Sequence, residues 1–580
     1  MKKLLGSIKP YIRESILAPL LKMAEALLEL LVPLVVAAIV DAGIANRDNG
    51  YVVRMCLLLA GLGLVGLLFS VTAQFFAARA AVGFAGSIRS RLFRKFAVLP
   101  VPEVDRLGGS TMITRMTADV DRTQSGINMG LRLLMRSPFV VFGSMVMAFI
   151  VDRRAGIIFA AAIAALAIVV FSIMLITMPL HRRVQSGLDR VVGLTRENIG
   201  GVRVIRAFGR EDEEREAFAR ESGRLRHLQL FVGRISATLN PLTYVMINIA
   251  VIVLLYTGGL SVESGDLTQG EMIALYNYMS QILVELIKLA DLIVTLTRAV
   301  ASARRIAVVL ENDMALASLP EQTPDRTSPV HIVFSDVSMT YPGAASPALR
   351  GIDFSIARGE TVGIIGGTGS GKTSLVHLIP HFYDVSSGSV AVDGVDTRAY
   401  PTEVLRDRVG IVMQRAVLFS GTIRENLLIG KKDATDEELY AALRAAQAED
   451  VARDKGGLDA RVEQNGRNFS GGQRQRLAIA RALVRKPDIL ILDDSSSALD
   501  YMTDARLRAA VSEFSEGMTV LIISQRTASL TDADKILVLD EGELVGIGRH
   551  RELLDCCPVY REIHDSQLPR EGEEVYHERA

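Results

Sequence analysis

Apolar positions along this chain follow two regimes. Up to about residue 300 they run together in segments near 16–40, 56–80, 133–151, 157–180, 241–260 and 272–296. Each is about long enough to cross a hydrocarbon layer of roughly 30 Å, so six membrane-spanning helices are predicted. From about residue 330 the runs shorten and alternate with stretches of helical period, the pattern of a soluble α/β domain. Between the two regimes, 298–315 reads as a helix leaving the membrane and 316–329 as a linker around Leu319, Pro320 and Pro329. The soluble domain is predicted over 330–568. The tail 569–580 is charged, lacks periodicity and reads as disordered.

Composition agrees with this division. Of the 580 residues 49% are hydrophobic, and mean hydropathy is +0.29. Lys+Arg and Asp+Glu both number 65, a balance that argues for no nucleic-acid partner. Three cysteines, Cys56, Cys556 and Cys557, have neither metal-ligand spacing nor the density of a disulfide framework, so reduced thiols are expected. Met1-Lys2-Lys3-Leu4 has a faint likeness to a secretory leader. No small-residue cleavage site follows, so the first apolar segment is read as a retained span. The connections after the second and fourth segments are long and arginine-rich, whereas 261–271 contains Glu263 and Asp266 but no Lys or Arg. The positive-inside rule then puts both termini and the long connections in the cytoplasm, with the lipid bilayer as obligatory surroundings.

Gly366-Gly367-Thr368-Gly369-Ser370-Gly371-Lys372-Thr373 matches G-x-x-x-x-G-K-[ST] at every position, between a predicted buried strand (361–365) and a predicted helix opening at Ser374. Glycines there let the backbone aim several N–H groups at phosphate oxygens. Lys372 is expected on the β- and γ-phosphates of ATP and the Thr373 hydroxyl on Mg²⁺. A second stretch, Ser470-Gly471-Gly472-Gln473-Arg474-Gln475-Arg476, precedes a helical run. Ile489-Leu490-Ile491-Leu492-Asp493 reads as a buried strand ending in a carboxylate suited to hold Mg²⁺.

Together the phosphate loop and the serine-glycine-glycine-glutamine stretch resemble the pairing that defines ABC ATPases. The order of membrane domain before ATPase domain resembles an ABC exporter half-transporter. This resemblance implies an antiparallel β subdomain and a helical subdomain around the ATPase core, with two ATPase domains closing on ATP as a dimer. It implies that Ser470, Gly471, Gly472 and Gln473 serve the ATP held by the partner chain. Likewise it implies that Tyr341 stacks on adenine, that Gln414 contacts Mg²⁺ and the membrane domain, and that Asp500, in Ser497-Ala498-Leu499-Asp500, passes between the two ATPase domains. The stretches 101–109 and 201–211, within connections near 100–122 and 200–222, resemble the coupling loops of such exporters. Physically they read as amphipathic helices broken by glycine, suited to lie on another domain.

Two positions depart from the family pattern. Asp494 stands where the family usually has the glutamate that polarises the attacking water, and Gln525 where it has a histidine beside the γ-phosphate. Aspartate is about one methylene, roughly 1.5 Å, too short for a base that must lie within about 3 Å of its water, and an amide carries no proton. The chain's own ATP site is therefore expected to bind ATP and hydrolyse it slowly. With Gln464 and Phe469 also atypical, the chain resembles the degenerate-site subunit of heterodimeric multidrug exporters, which implies a second, non-identical half-transporter as partner. A slow homodimer and an importer built on the exporter fold share the quoted motifs. Inside the spans, Lys22–Glu25 and Glu285–Lys288 are spaced one helical turn apart. Intrahelical pairing and contact with a cavity for a small-molecule substrate are both open for them. Glu29, with only Glu25 at helical spacing, is the stronger cavity candidate, with Glu285 beside it.

Overall fold

The computed structural model describes residue 4 and residues 6–312, 316–322, 324, 328–495 and 499–567. The chain divides into two compact units: Met1–Val98 with Gly109–Asp313, and Leu99–Gly108 with Met314–Ala580.

The first unit is helical. Its long helical stretches Gly6–Ile44, Asn49–Ala97, Gly109–Val151, Arg153–Gly200 and Glu211–Glu263 are each long and apolar enough to cross a membrane. Five of the six expected spans are found in this way among the described residues. The sixth helix, Gln269–Glu311, has the length, but Asn277, Gln281, Glu285, Lys288 and Asp291 lower the hydropathy of its middle. Burial accounts for Glu285, which is 3% exposed beside the fully buried Tyr278, Met279 and Ile282, while Asp291 is exposed. A helix sheathed by its neighbours need not be apolar toward lipid. Its residues Leu275, Met279 and Ile282 pack with Leu30, Val141, Phe159 and Leu254 in one cluster. The Asn49–Ala97 helix instead exposes Leu57, Leu64, Leu67, Leu68 and Val71, a face suited to lipid.

Small residues set the closest helix approaches. A Cβ built on Gly126 would lie 2.1 Å from the Ala299 Cβ, so glycine alone permits the observed spacing.

The second unit carries the sheets. A four-stranded antiparallel sheet has the order β2 (Leu349–Ala357), β1 (Val330–Met339), β4 (Ser387–Val392), β5 (Val395–Asp396). A six-stranded sheet, built on β3 (Thr361–Gly366), β6 (Val409–Val412), β9 (Ile489–Asp493), β10 (Thr519–Ile523), β11 (Lys535–Asp540) and β12 (Glu543–Gly548), has the order β12-β11-β3-β10-β9-β6. Only β12 joins it antiparallel. Strand β9 is buried throughout and β3 from Val362 onward, the near-continuous apolar run of a strand covered on both faces. A short ribbon of β7 (Gly421–Thr422) and β8 (Arg461–Val462) accompanies the helices between Ile423 and Val484. Parallel register aligns Ile523 with Asp493 and with Ile364, so the ends of β3, β9 and β10 open along one edge. In open α/β sheets that edge holds ligands.

Replacing Gly126 by valine should force the helices carrying Gly126 and Ala299 apart, at a cost of about 1–3 kcal/mol for overpacking. The expected readout is a lower unfolding midpoint in detergent. Gly130→Ala, whose Cβ would stand an ordinary 3.5 Å from Leu296 Cδ2, should leave that midpoint unchanged.

Candidate nucleotide site

The phosphate loop leaves the end of β3 and enters the helix Lys372–Leu378. Gly371, the residue before that helix, has φ 95°, and a Cβ there would meet the Ala348 carbonyl oxygen at 2.7 Å. Only glycine turns the chain there without strain. Gly367 and Gly369, by contrast, would point a Cβ into open space, leaving Gly366, Gly367, Thr368, Gly369 and Ser370 as a loop whose backbone can be approached closely.

Lys372 folds back over this loop. Its Nζ donates to the carbonyls of Gly366 at 2.9 Å and Gly367 at 2.6 Å and to Ser370 Oγ at 3.3 Å. Burial pulls its pKa down, while Asp494 and Asp493 pull it up. Thr373 Oγ1 donates to Asp493 Oδ1 at 3.1 Å, so a hydroxyl and a carboxylate stand side by side. Burial pushes the Asp493 carboxyl up and Asp494 adds to that push, against the Thr373 hydrogen bond. Asp494 is also pushed up, chiefly by burial, against Gln414, Lys372 and Arg526. Two neighbouring carboxylates held above their ordinary range, next to a hydroxyl, form a donor set that suits Mg²⁺. An open glycine loop beside a buried ammonium whose acceptors are all uncharged suits phosphate.

Asp494 sits just past β9 with φ 46°, and its N–H donates to the Ile523 carbonyl at 3.1 Å. Gln414 Nε2 donates to Asp494 Oδ2 at 3.2 Å. The expected glutamine thus reaches the acidic end of β9. Gln525, exposed just past β10, accepts at its backbone carbonyl from Gln567 Nε2 at 2.7 Å. Next to it, Arg526 acts electrostatically on Asp494.

Ser470 and Gln473 explain the start of the helix Gly471–Val484. Ser470 Oγ accepts from the Gln473 N–H at 3.3 Å, and Gln473 Oε1 accepts from the Ser470 N–H at 3.0 Å, a reciprocal capping box. Gly471 and Gly472 open the first turn without a side chain to cover its N–H groups. Phe469 is buried, with Lys455 Nζ 5.5 Å from its ring centroid, and Gln464 opens a short turn before it. Asp500 caps the next helix by accepting from the Thr503 N–H at 2.8 Å, while Ser497 and Ala498 lie outside the described residues.

Tyr341 is joined to the phosphate loop through its hydroxyl, 2.8 Å from Ser374 Oγ. Its ring meets Tyr383 edge to face, with centroids 5.1 Å apart. The Tyr383 hydroxyl in turn donates to the Asp105 carboxylate, and burial followed by that carboxylate pushes the phenol well above its ordinary pKa. Asp105 belongs to the helix Val101–Leu107, which ends at Gly108 with φ 71°. The first of the two arginine-rich connections is therefore tied, through two tyrosines, to the residue that follows the phosphate loop. No local spacing links Tyr383 to Asp105, a residue of the stretch 101–109.

The two residues expected beside a substrate cavity are both held by Arg136. Glu29, with only Glu25 at helical spacing, accepts from Arg136 Nη2 at 2.6 Å. Arg136 Nη1 donates to Glu285 Oε1 at 2.6 Å, and Ser137 and Lys288 complete the shell of Glu285 at 2.7 and 2.9 Å. The turn-spaced pair Lys22–Glu25 forms too, at 2.6 Å, with Ser70 as second acceptor. Arg136 was overlooked although an arginine near the start of an apolar span is itself a demand for a partner. The Glu29–Arg136–Glu285 clamp joins three helices and leaves Glu29 alone half-exposed.

A phosphate loop at the carboxyl edge of a parallel sheet, an acidic strand end beside it, a capped glycine helix start and a bundle of long apolar helices in one chain define an ATP-driven membrane transporter. The chain matches the family model of the ABC transporter transmembrane region over residues 15–286 and that of the ABC transporter over 349–497, and it belongs to the ABC transporter family. It is 37% identical over 97% of its length to an uncharacterized ABC transporter ATP-binding protein of Mycobacterium tuberculosis, covering 97% of that protein. It is 30% identical to the ATP-dependent lipid A-core flippase of Chromobacterium violaceum, over 98% of this chain and 97% of the flippase. The solved structure of a bacterial Atm1-family ABC exporter with ATP bound superposes with a TM-score of 0.81 at 23% identity, over 98% of this chain and 99% of that one, and so shares its fold.

Tyr383→Phe removes the hydrogen bond to Asp105 and keeps the aromatic contact with Tyr341. Backbone amides of 99–108 are expected to exchange with deuterium faster in this variant, by about tenfold if a hydrogen bond to a charged acceptor contributes its usual 1.5 kcal/mol or so. Amides of the phosphate loop should exchange as before. Unchanged exchange at 99–108 would mean that Asp105 does not hold this segment.

Proposed function

We propose that this chain is one half of a heterodimeric ABC exporter. It moves an amphipathic or lipophilic small molecule across the plasma membrane by alternating access, with its ATPase domain and both termini in the cytoplasm. Its own phosphate loop binds ATP and hydrolyses it slowly, and the partner is a non-identical half-transporter. The relatives named as lipid A-core flippases support an amphipathic cargo.

The observation that carries this reading is the Asp494–Gln414 pair. A carboxylate one methylene short of the usual glutamate is drawn to Gln414 at 3.2 Å. Gln525, in place of a histidine, offers an amide that can donate a hydrogen bond but cannot carry a proton. Around them the binding parts are complete. In this reading the loop from Gly366 to Ser374 with Lys372 holds the phosphates, Tyr341 takes the adenine, and Thr373, Asp493 and Gln414 hold Mg²⁺. When bound, Mg²⁺ supplies charge neutralisation at the phosphates. Ser470, Gly471, Gly472 and Gln473 present the open first turn of a capped helix to the γ-phosphate on the partner chain. The rigid box around that turn supports a role at a site that works.

Asp494→Glu combined with Gln525→His should raise hydrolysis at this chain's site. A well-placed base contributes about 10²- to 10⁴-fold, so a rise within that range is expected. The measurement is ATP turnover in the complex after the partner's own catalytic glutamate is replaced by glutamine. Turnover equal to that of the unmodified chain in the same background would contradict the assignment of Asp494 and Gln525 as the cause of slowness.

A further inference from the structure

The turn that carries Gln525 begins beside the phosphate loop, where the Ser524 N–H donates to the Ile364 carbonyl at 3.1 Å. Gln525 and Arg526 are both exposed, and the chain then enters the short turn Thr527–Ser529, whose first residue is buried. Arg526 is extended, with φ −98° and ψ 120°. In extended backbone the carbonyl before a residue and the N–H after it point to the same side. The Gln525 carbonyl and the Thr527 N–H are thus offered together.

Gln567 takes both of them. Its Nε2 donates to the Gln525 carbonyl at 2.7 Å, and its Oε1 accepts from the Thr527 N–H at 2.9 Å and from the Thr527 hydroxyl at 3.1 Å. His564 Nδ1 stands 3.1 Å from the same hydroxyl. A primary amide carries a donor and an acceptor side by side, so it pairs with the backbone as the edge of a neighbouring strand would. The amide is presented from an anchored element. Tyr560, on the helix Pro558–Asp565, is fully buried and packs with Ile365, Leu530, Ile536 and Val538, and its hydroxyl lies 2.7 Å from His550 Nδ1. Ile365 belongs to β3, the strand that leads into the phosphate loop. Past the helix end, the Gln567 N–H donates to the His564 carbonyl at 3.0 Å, which ties residue 567 to the same helix.

A contact made from an exposed turn must outweigh the entropy of ordering that turn, and a turn already ordered before the ligand arrives avoids this cost. We propose that Gln567 is a positioning residue for nucleotide recognition: its amide holds the turn 525–527 so that Gln525 meets the γ-phosphate, and the site on this chain therefore prefers ATP to ADP. This role rests on the reading of Gln525 as the group beside the γ-phosphate, and adds the residue that holds it there.

The test uses the full-length chain in detergent with Mg²⁺. ADP and the slowly hydrolysed analogue ATPγS each displace a fluorescent ADP analogue, and the ratio of their affinities is the readout. Gln567→Leu keeps the size of the side chain and removes its donor and acceptor. ADP affinity should stay as it was, while the preference for ATPγS should fall about tenfold, the worth of one hydrogen bond to a charged group. Gln567→Glu still offers an acceptor to Thr527 but cannot donate to the Gln525 carbonyl, so the same fall is expected. Where Gln567→Leu lowers the thermal midpoint, Gln567→Glu carries the test. Gln525→Ala should lower the preference by itself, and adding Gln567→Leu to it should lower the preference no further, because the clamp acts through the Gln525 side chain. A preference that survives Gln567→Leu, or that falls equally with and without the Gln525 side chain, overturns the proposal, since the amide would then serve the fold alone. Gln525→Ala with an unchanged preference overturns the underlying reading of Gln525 as well, whereas a fall in Gln525→Ala with none in Gln567→Leu removes the positioning role only.

Discussion

A charge taken out of water must be met by an opposite charge or by oriented dipoles, and this constraint runs through both units of the chain. In the helical unit it is met by pairing: Arg136 lies between Glu29 and Glu285 and so joins three helices. In the second unit Asp393, fully buried, is met by the guanidinium groups of Arg358 and Arg408, while burial beside these cations pulls the His331 imidazole down to about 4 and keeps it neutral. At the nucleotide site the constraint is met only in part. Lys372 rests on neutral carbonyls, and Asp493 and Asp494 are held above their ordinary carboxylate range. A site with that residual demand is prepared for a polyanion and a divalent cation.

The same constraint separates structure from function among the ionisable residues. Where every charge has found a partner, as in the Glu29–Arg136–Glu285 clamp, the residues fasten helices together. The Tyr383–Asp105 bond likewise fastens the segment 99–108 to the unit that carries the phosphate loop.

Local features were legible in the residue order. The phosphate loop, the helix start at Ser470 and the strand ending at Asp493 are each set by a few neighbouring residues, and each lies where the residue order predicts. Glycine after a short amphipathic run likewise located the break at Gly108. Contacts between distant residues were not legible. Arg136 meets Glu29 across 107 positions and Tyr383 meets Asp105 across 278, distances over which no period connects them. The sixth helix makes the same point, since its polar residues lower the hydropathy of its middle while its neighbours bury Tyr278 and Glu285.

The two anion cradles on this chain, one beginning at Gly366 and one at Ser470, carry different burdens in the proposed division of labour. The first retains ATP beside weak catalytic groups, and the second completes a working site on the partner. The direct measurement is ATP turnover of the assembled complex at saturating nucleotide, with Gly471→Asp compared against Lys372→Ala. A carboxylate at Gly471 would set a negative charge against the γ-phosphate and obstruct the open helix turn, so near-complete loss of turnover is predicted for it, with more residual turnover for Lys372→Ala. If Lys372→Ala proves the more damaging change, the phosphate loop of this chain houses the working site, and the assignment of slow and competent sites is contradicted.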